Sequence, residues 1–150
     1  MTAEQQTKLI EAAKDLIGTP YRYGVKPEEA PRFFDCSLFV QYLFKTYADT
    51  ILPRSTIEQA EFITKTVPNT DALQPGDIIF LHGTRGHYNK TFPEGIGHAV
   101  IYIGNNEVIH ASSRRVQKQP IIEEGQVRIN ILQDVIDRSG PITTIRRIAN

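Results

Sequence analysis

The sequence predicts an α+β fold, in which helices come first and a mostly antiparallel sheet follows. Apolar residues recur at helical spacing in the first 63 residues, whereas the runs beyond Pro75-Gly76 are short and read as strands. Of the 150 residues, 40% are hydrophobic and 23% are charged, which is ordinary for a globular protein. This length suits one domain with one core, so we expect residues 1–150 to form a single domain.

Three helices are expected in the first half of the chain. The first begins at a capping box formed by Thr2 and Gln5. The second begins near Cys36, with Asp35 as its N-cap, because apolar residues then recur at helical spacing. A short third helix is expected over residues 55–63. Residues 19–34, between the first and second helices, read as a loop.

A β-hairpin is the clearest element of the second half. Two strands flank the turn Gly104-Asn105-Asn106, and pairing of Ile103 with Glu107 sets their register. In that register His98 is the diagonal neighbour of His110, about 7–8 Å away between backbones and on the same face of the sheet. The other expected elements are strands at 77–81, 126–129 and 142–148, a helix at 132–138 and a long loop at 82–97.

Charge and apolar content exclude several classes of function. Lys+Arg and Asp+Glu each total 17, so no basic excess indicates nucleic-acid binding. The most basic stretch, with Arg114, Arg115 and Lys118, is expected to be a solvated loop. No apolar run is long enough for a transmembrane helix, and residues 1–6 lack the pattern of a signal peptide. The sequence leaves localisation and oligomeric state open.

Cys36 is the only cysteine, and its setting suggests a nucleophile. A helix N-terminus and a nearby imidazolium are two devices that lower the pKa of a thiol, and both are expected here. One of His98 and His110 can act as base while the other fixes its tautomer. The alternatives are a small buried cysteine and two histidines that meet by chance or bind a metal. With no third ligand nearby, no metal or cofactor is expected.

Five motifs in order resemble the NlpC-type family of cell-wall cysteine peptidases. The resemblance extends from about Ile10 to Ser112, and more faintly to Ile148. The motifs are Asp35-Cys36-Ser37, Leu52-Pro53-Arg54-Ser55-Thr56 with Gln59, Leu73-Gln74-Pro75-Gly76-Asp77-Ile78-Ile79-Phe80, His98-Ala99-Val100-Ile101-Tyr102-Ile103-Gly104 and Val108-Ile109-His110-Ala111-Ser112.

The resemblance implies a papain-like fold and a set of catalytic roles. Cys36 corresponds to the nucleophile, His98 to the general base and His110 to the polar residue that orients the base. The family hydrolyses amide bonds in peptidoglycan stem peptides through a thioester, often between D-glutamate and a diamino acid. This implies a peptidoglycan peptide as the partner of this chain.

The resemblance also implies residues for substrate binding. Family members use a tyrosine near the oxyanion, and Tyr21 matches it better than Tyr23, although either could be a packing residue. Asp35 and Ser37 would line the subsite for a free amine of the substrate. The backbone N–H of Cys36 is a candidate oxyanion donor, because helix-start amides lack an intrahelical partner.

Two departures from the family pattern leave other functions open. Leu38 stands where the family usually has glycine, and it could narrow the cleft. The 82–97 loop is long, leads into His98 and could form a wall or lid. The rival functions are an acyltransferase or amidase of the same fold acting on a non-wall substrate, and an inactive binding module.

Overall fold

A five-stranded antiparallel sheet forms the centre of the computed structural model. The structure describes residues 1–84 and 86–149, apart from the side chains of residues 114–117 and 121–123. The strands are β1 (Ile78–Leu81), β2 (His98–Gly104), β3 (Glu107–Lys118), β4 (Ile121–Ile131) and β5 (Ile142–Arg146). They lie in the order β4-β3-β2-β1-β5, with each neighbouring pair antiparallel.

The helices are α1 (Ala3–Asp15), α2 (Cys36–Tyr47), α3 (Thr56–Phe62) and α4 (Leu132–Ser139). The predicted N-caps Thr2 and Asp35 are confirmed, because Thr2 accepts from the backbone N–H of Gln5 and Asp35 from that of Leu38. Ser55 caps α3 in the same way. These side chains supply acceptors that the first turn of a helix otherwise lacks. Within the described residues, none of the helices combines the length and apolar character needed to cross a bilayer.

Alternation along the strands gives the sheet two apolar faces. One face carries Phe80 and Ile101, which are fully buried in the larger core with side chains of α1 and α2. The other carries Leu81 and Val100, which pack in a smaller cluster with Val135 of α4. Helices on both faces therefore bury the sheet, and the predicted α+β class is confirmed.

The predicted hairpin register is confirmed away from the turn. Ile101 pairs with Ile109 and Tyr102 with Val108, as expected. At the turn, however, Glu107 pairs with Gly104 and not with the expected Ile103. Asn105 and Asn106 both adopt positive φ angles, of 53° and 61°. Two such residues make the tight turn whose twist suits a hairpin, and the extra residue is absorbed as a bulge.

Strands β3 and β4 extend further than the sequence predicted. The segment with Arg114, Arg115 and Lys118 is the end of β3, so the expected loop is wrong. The side chains of Arg114 and Arg115 lie outside the described residues, so their predicted solvation stays a prediction. Pairing with β4 satisfies the backbone here without the apolar alternation that identifies a strand in sequence.

Candidate active site

A cavity of about 680 Å³ lies where the start of α2 meets the sheet. Residues from α2, β2, β3, β4, α4, the 82–97 loop and the segments before α2 and α3 line it. Six of these residues are the ones that the sequence singled out as site residues. They are Tyr21, Asp35, Cys36, Ser37, His98 and His110.

Cys36 is the first residue of α2, and its thiol reaches the backbone at the start of β2. Burial raises the pKa of the thiol to about 12, and the negative charge of Asp35 adds to this. Backbone hydrogen bonds at Ala99 and Ser37, and the charge of Arg54, lower the pKa but do not compensate. The prediction of a lowered thiol pKa is therefore wrong, because desolvation exceeds the effect of the helix N-terminus.

The structure brings the two predicted histidines into direct contact. Nε2 of His98 lies 2.7 Å from Nδ1 of His110, and the rings meet edge to face with centroids 5.0 Å apart. Burial, followed by the neighbouring His110, lowers the pKa of His98 to about 3. Burial also lowers the pKa of His110 to about 4, so both rings are neutral at pH 7 and the expected imidazolium is absent.

Asn130, on β4, continues this line of hydrogen bonds and was not identified from the sequence. Its Oδ1 lies 2.9 Å from Nε2 of His110, which is only 4% exposed. Asn130 also lines the cavity. Its distance of 20 positions from His110 hides it in the sequence, although the same-face pattern of β4 would have indicated it once the register was known.

Arg54 is the second residue that sequence reasoning missed as part of the site. Its guanidinium donates to both carboxylate oxygens of Asp35, the closer contact being 2.7 Å, to Oγ of Ser37 at 2.7 Å, and to the carbonyl of Val25 at 2.7 Å. Asp35 is thus both the N-cap of α2 and the partner of Arg54. The motif Leu52-Pro53-Arg54-Ser55-Thr56 contained the signal, but only the fold reveals its target.

The two tyrosines considered for the oxyanion region both line the cavity. The backbone N–H of Tyr21 donates to the carbonyl of Gly125 at 2.9 Å, which fixes this segment against β4. Tyr23 is 62% exposed. The choice of Tyr21 over Tyr23 stays a prediction.

The 82–97 loop forms one wall of the cleft, to which Gly83, Thr84, His87 and Gly97 contribute. It is fixed at several points: the N–H of Gly83 donates to the carbonyl of Ser139 at 2.7 Å, and Thr143 donates to that of Gly95 at 2.7 Å. A Cβ on Gly97 would lie 2.7 Å from the carbonyl oxygen of His82, so only glycine permits this close packing.

Leu38 does not narrow the cleft. Its side chain is 2% exposed and belongs to the larger core, and Leu38 is absent from the described lining of the cavity. The helix turns Leu38 inward because it lies two positions beyond Cys36. Among the residues whose placement is described, no three His, Cys, Asp or Glu side chains are grouped to hold a metal ion.

Comparison with known proteins agrees with this geometry. The chain is 40% identical over 106 residues to a probable endopeptidase of Haemophilus influenzae, covering 71% of this chain and 58% of the relative. It is 34% identical over 111 residues to the gamma-DL-glutamyl hydrolase of Bacillus subtilis, covering 73% of this chain but 24% of that protein. The chain therefore spans only part of the length of these relatives.

Solved structures carry the same fold. NlpC1 from Trichomonas vaginalis superposes with a TM-score of 0.70 at 22% identity, covering 98% of this chain and 45% of that one. The similarity supports the papain-like architecture inferred from the motifs. The family model described as NlpC/P60 matches residues 18–132, a range that includes the cysteine, both histidines and Asn130. The chain belongs to the NlpC/P60 family.

Proposed function

We propose that this chain is a cysteine peptidase that hydrolyses amide bonds in peptidoglycan stem peptides. The observation that carries the proposal is one cavity that is lined by Cys36 and by the hydrogen-bonded pair of His98 and His110. Relatives with names such as endopeptidase and gamma-DL-glutamyl hydrolase support the reaction class and the kind of bond. We further propose the D-glutamyl–diamino acid bond as the one cleaved.

The proposed reaction divides amide hydrolysis into two steps. Sγ of Cys36 attacks the carbonyl carbon while its proton moves to His98, and backbone N–H groups at the start of α2 stabilise the oxyanion. His98 then donates that proton to the leaving amine, the C–N bond breaks and a thioester remains. Water, deprotonated by His98, attacks the thioester, releases the carboxylic acid and restores the thiol.

Asp35 and Ser37 are proposed to bind the free amine of the substrate. Oδ1 of Asp35 already accepts from Leu38, Ser37 and Arg54. Oδ2 accepts a hydrogen bond from Arg54 alone among the described residues, which leaves capacity for an ammonium. The proximity of Tyr21 to the cavity supports its proposed role near the oxyanion.

The packing of Leu38 argues against an inactive binding module. A side chain buried in the core cannot block a cleft that it does not line. The acyltransferase and non-wall amidase remain as outcomes of the test, because they would use the same nucleophile.

The test is digestion of a defined panel of muropeptides, with products identified by mass. The panel separates the D-glutamyl–diamino acid bond from a D-alanyl cross-link. We expect wild-type protein to release fragments cut at the first bond, and Cys36→Ala to release none while keeping the wild-type circular dichroism. His82→Gln, outside the described cavity lining, serves as a control for His98→Gln. Release of fragments by Cys36→Ala, or no release by wild type, would overturn the proposal.

A further inference from the structure

We propose that Asn130 is a positioning residue that fixes the tautomers of His110 and His98, so that Nδ1 of His98 is left to accept the proton of Cys36. This inference rests on the proposed function and adds a positioning residue, which acts through His110, to the three residues proposed for catalysis. It concerns only which ring nitrogens carry hydrogens, and no proton moves to Asn130 in any step.

The contact with Asn130 determines which nitrogen of His110 carries the hydrogen. The oxygen of an amide side chain accepts hydrogen bonds and cannot donate them. The contact of 2.9 Å between Oδ1 of Asn130 and Nε2 of His110 therefore requires a hydrogen on Nε2. A neutral imidazole carries a hydrogen on only one of its two ring nitrogens, so Nδ1 of His110 has a free lone pair.

The tautomer of His110 in turn fixes that of His98. Nδ1 of His110 is 2.7 Å from Nε2 of His98, and it can only accept there. Nε2 of His98 must then carry the hydrogen, which leaves its Nδ1 as the basic atom. Asn130 thus selects, through two hydrogen bonds, the tautomer of His98 that can act as a base.

The charges around His110 keep its ring neutral, so that its Nδ1 carries no hydrogen. Arg128, which pairs with His110 across β3 and β4, and Arg138 of α4 both oppose its protonation. His98 faces it from β2, while Asp134 and Asp137 of α4 line the same cavity. A protonated His110 could not accept a hydrogen bond from His98. The two arginines therefore preserve the lone pair on Nδ1 of His110 that accepts from Nε2 of His98.

The sheet holds Asn130 in register for this role. Asn130 pairs with Val108 and Arg128 with His110, so Asn130 is the diagonal neighbour of His110 on the next strand. Diagonal neighbours across an antiparallel pair lie within side-chain reach. The backbone ladder between β3 and β4 therefore sets the position of the amide independently of the substrate.

The first experiment measures kcat/KM against pH for Asn130→Ala and Asn130→Asp on the muropeptide that wild type cleaves. We expect Asn130→Ala to lower kcat/KM by about 10- to 100-fold, part of what general-base catalysis contributes. Asn130→Asp keeps an acceptor and should retain most activity at its optimum. The acidic limb of the kcat/KM profile of Asn130→Asp should move to higher pH by about one unit or more, because a carboxylate at this position favours the protonated form of His110.

The control is Gln126→Ala, which removes an exposed amide on the same face of β4 outside the described cavity lining. It should leave both kcat/KM and the pH profile unchanged. Equal losses in Asn130→Ala and Asn130→Asp, with no movement of the acidic limb, would overturn the positioning role. So would wild-type kinetics in Asn130→Ala.

A second measurement needs no substrate, so it separates failure of this inference from failure of the proposed function. Long-range ¹H–¹⁵N spectra of the imidazoles report which nitrogen carries the hydrogen. We expect Nε2–H for both His98 and His110 in wild type, and a mixture of tautomers in Asn130→Ala. Nδ1–H on either wild-type ring, or unchanged tautomers in Asn130→Ala, would refute the inference even if wild type is an active peptidase.

Discussion

The neutral histidine pair predicts that the fold loses stability as the pH falls below about 6.5. Burial lowers the pKa of His98 to about 3 and that of His110 to about 4, whereas an unfolded histidine titrates near 6.5. Between these values the unfolded chain binds protons that the folded chain does not. The contribution of the pair to the free energy of unfolding is therefore fully present above the unfolded pKa, and it decreases as the pH falls towards the folded pKa values.

The magnitude follows from the same values. At pH 5 an unfolded histidine has gained about 2 kcal/mol from protonation, and the two folded rings remain almost uncharged. The pair should therefore lower the free energy of unfolding by about 4 kcal/mol between pH 8 and pH 5. At a urea m-value of about 2 kcal/mol per molar, this equals a shift of about 2 M in the midpoint.

The assay is urea unfolding of wild type and of His98→Gln/His110→Gln at both pH values, followed by circular dichroism. The carboxylates titrate in both proteins, so their contribution cancels in the difference. Between pH 8 and pH 5, the free energy of unfolding of the double variant should fall by about 4 kcal/mol less than that of wild type. For the single variant His98→Gln it should fall by about 2 kcal/mol less. Equal losses in wild type and the double variant would mean that the rings titrate alike in the folded and unfolded states, and the reasoning would be refuted.

Two further predictions concern the charged neighbours of Cys36 and the thiol itself. Arg54→Met leaves the nearly buried carboxylate of Asp35 without its cation, and should lower the free energy of unfolding by about 2 kcal/mol in urea titrations. The double variant Asp35→Asn/Arg54→Met should lose less of the free energy of unfolding than Arg54→Met does, and an equal or larger loss would contradict this. Because its pKa is raised to about 12, Cys36 should react with iodoacetamide more slowly than free cysteine at pH 7 when no substrate is added, as measured by mass spectrometry. A faster reaction would mean that the cleft stabilises the thiolate.

The parts of the fold that local chemistry determines could be predicted from the sequence. Thr2 and Gln5 form the predicted capping box, and the turn at Asn105 and Asn106 sets the register that brings His98 to His110. The end of β3 was missed because strand pairing there depends on the backbone of β4. Polar residues in that segment carry no periodic signal, so the sequence alone favours a loop.

The site shows the same division between local and tertiary information. Cys36, His98 and His110, which line one cavity, could be named as candidates because few other residue types perform nucleophilic and base chemistry. Arg54 and Asn130 could not be, because each acts on a partner 19 or 20 positions away whose placement needs the fold. The direction of the thiol pKa was wrong because the degree of burial, which dominates it, is a property of the packed cleft.

A neutral resting pair limits how the proposed reaction can proceed. A thiolate alone or an imidazolium alone would be a desolvated charge, and burial raises the pKa of Cys36 and lowers that of His98 for this reason. When the proton moves from Sγ to His98 in the proposed reaction, two opposite charges form together within one cavity and attract each other. Backbone donors at Ala99 and Ser37 add to this only once sulfur is negative. In the proposed reaction we therefore expect proton transfer to accompany attack on a bound carbonyl, with the thiol a poor nucleophile until the substrate is in place.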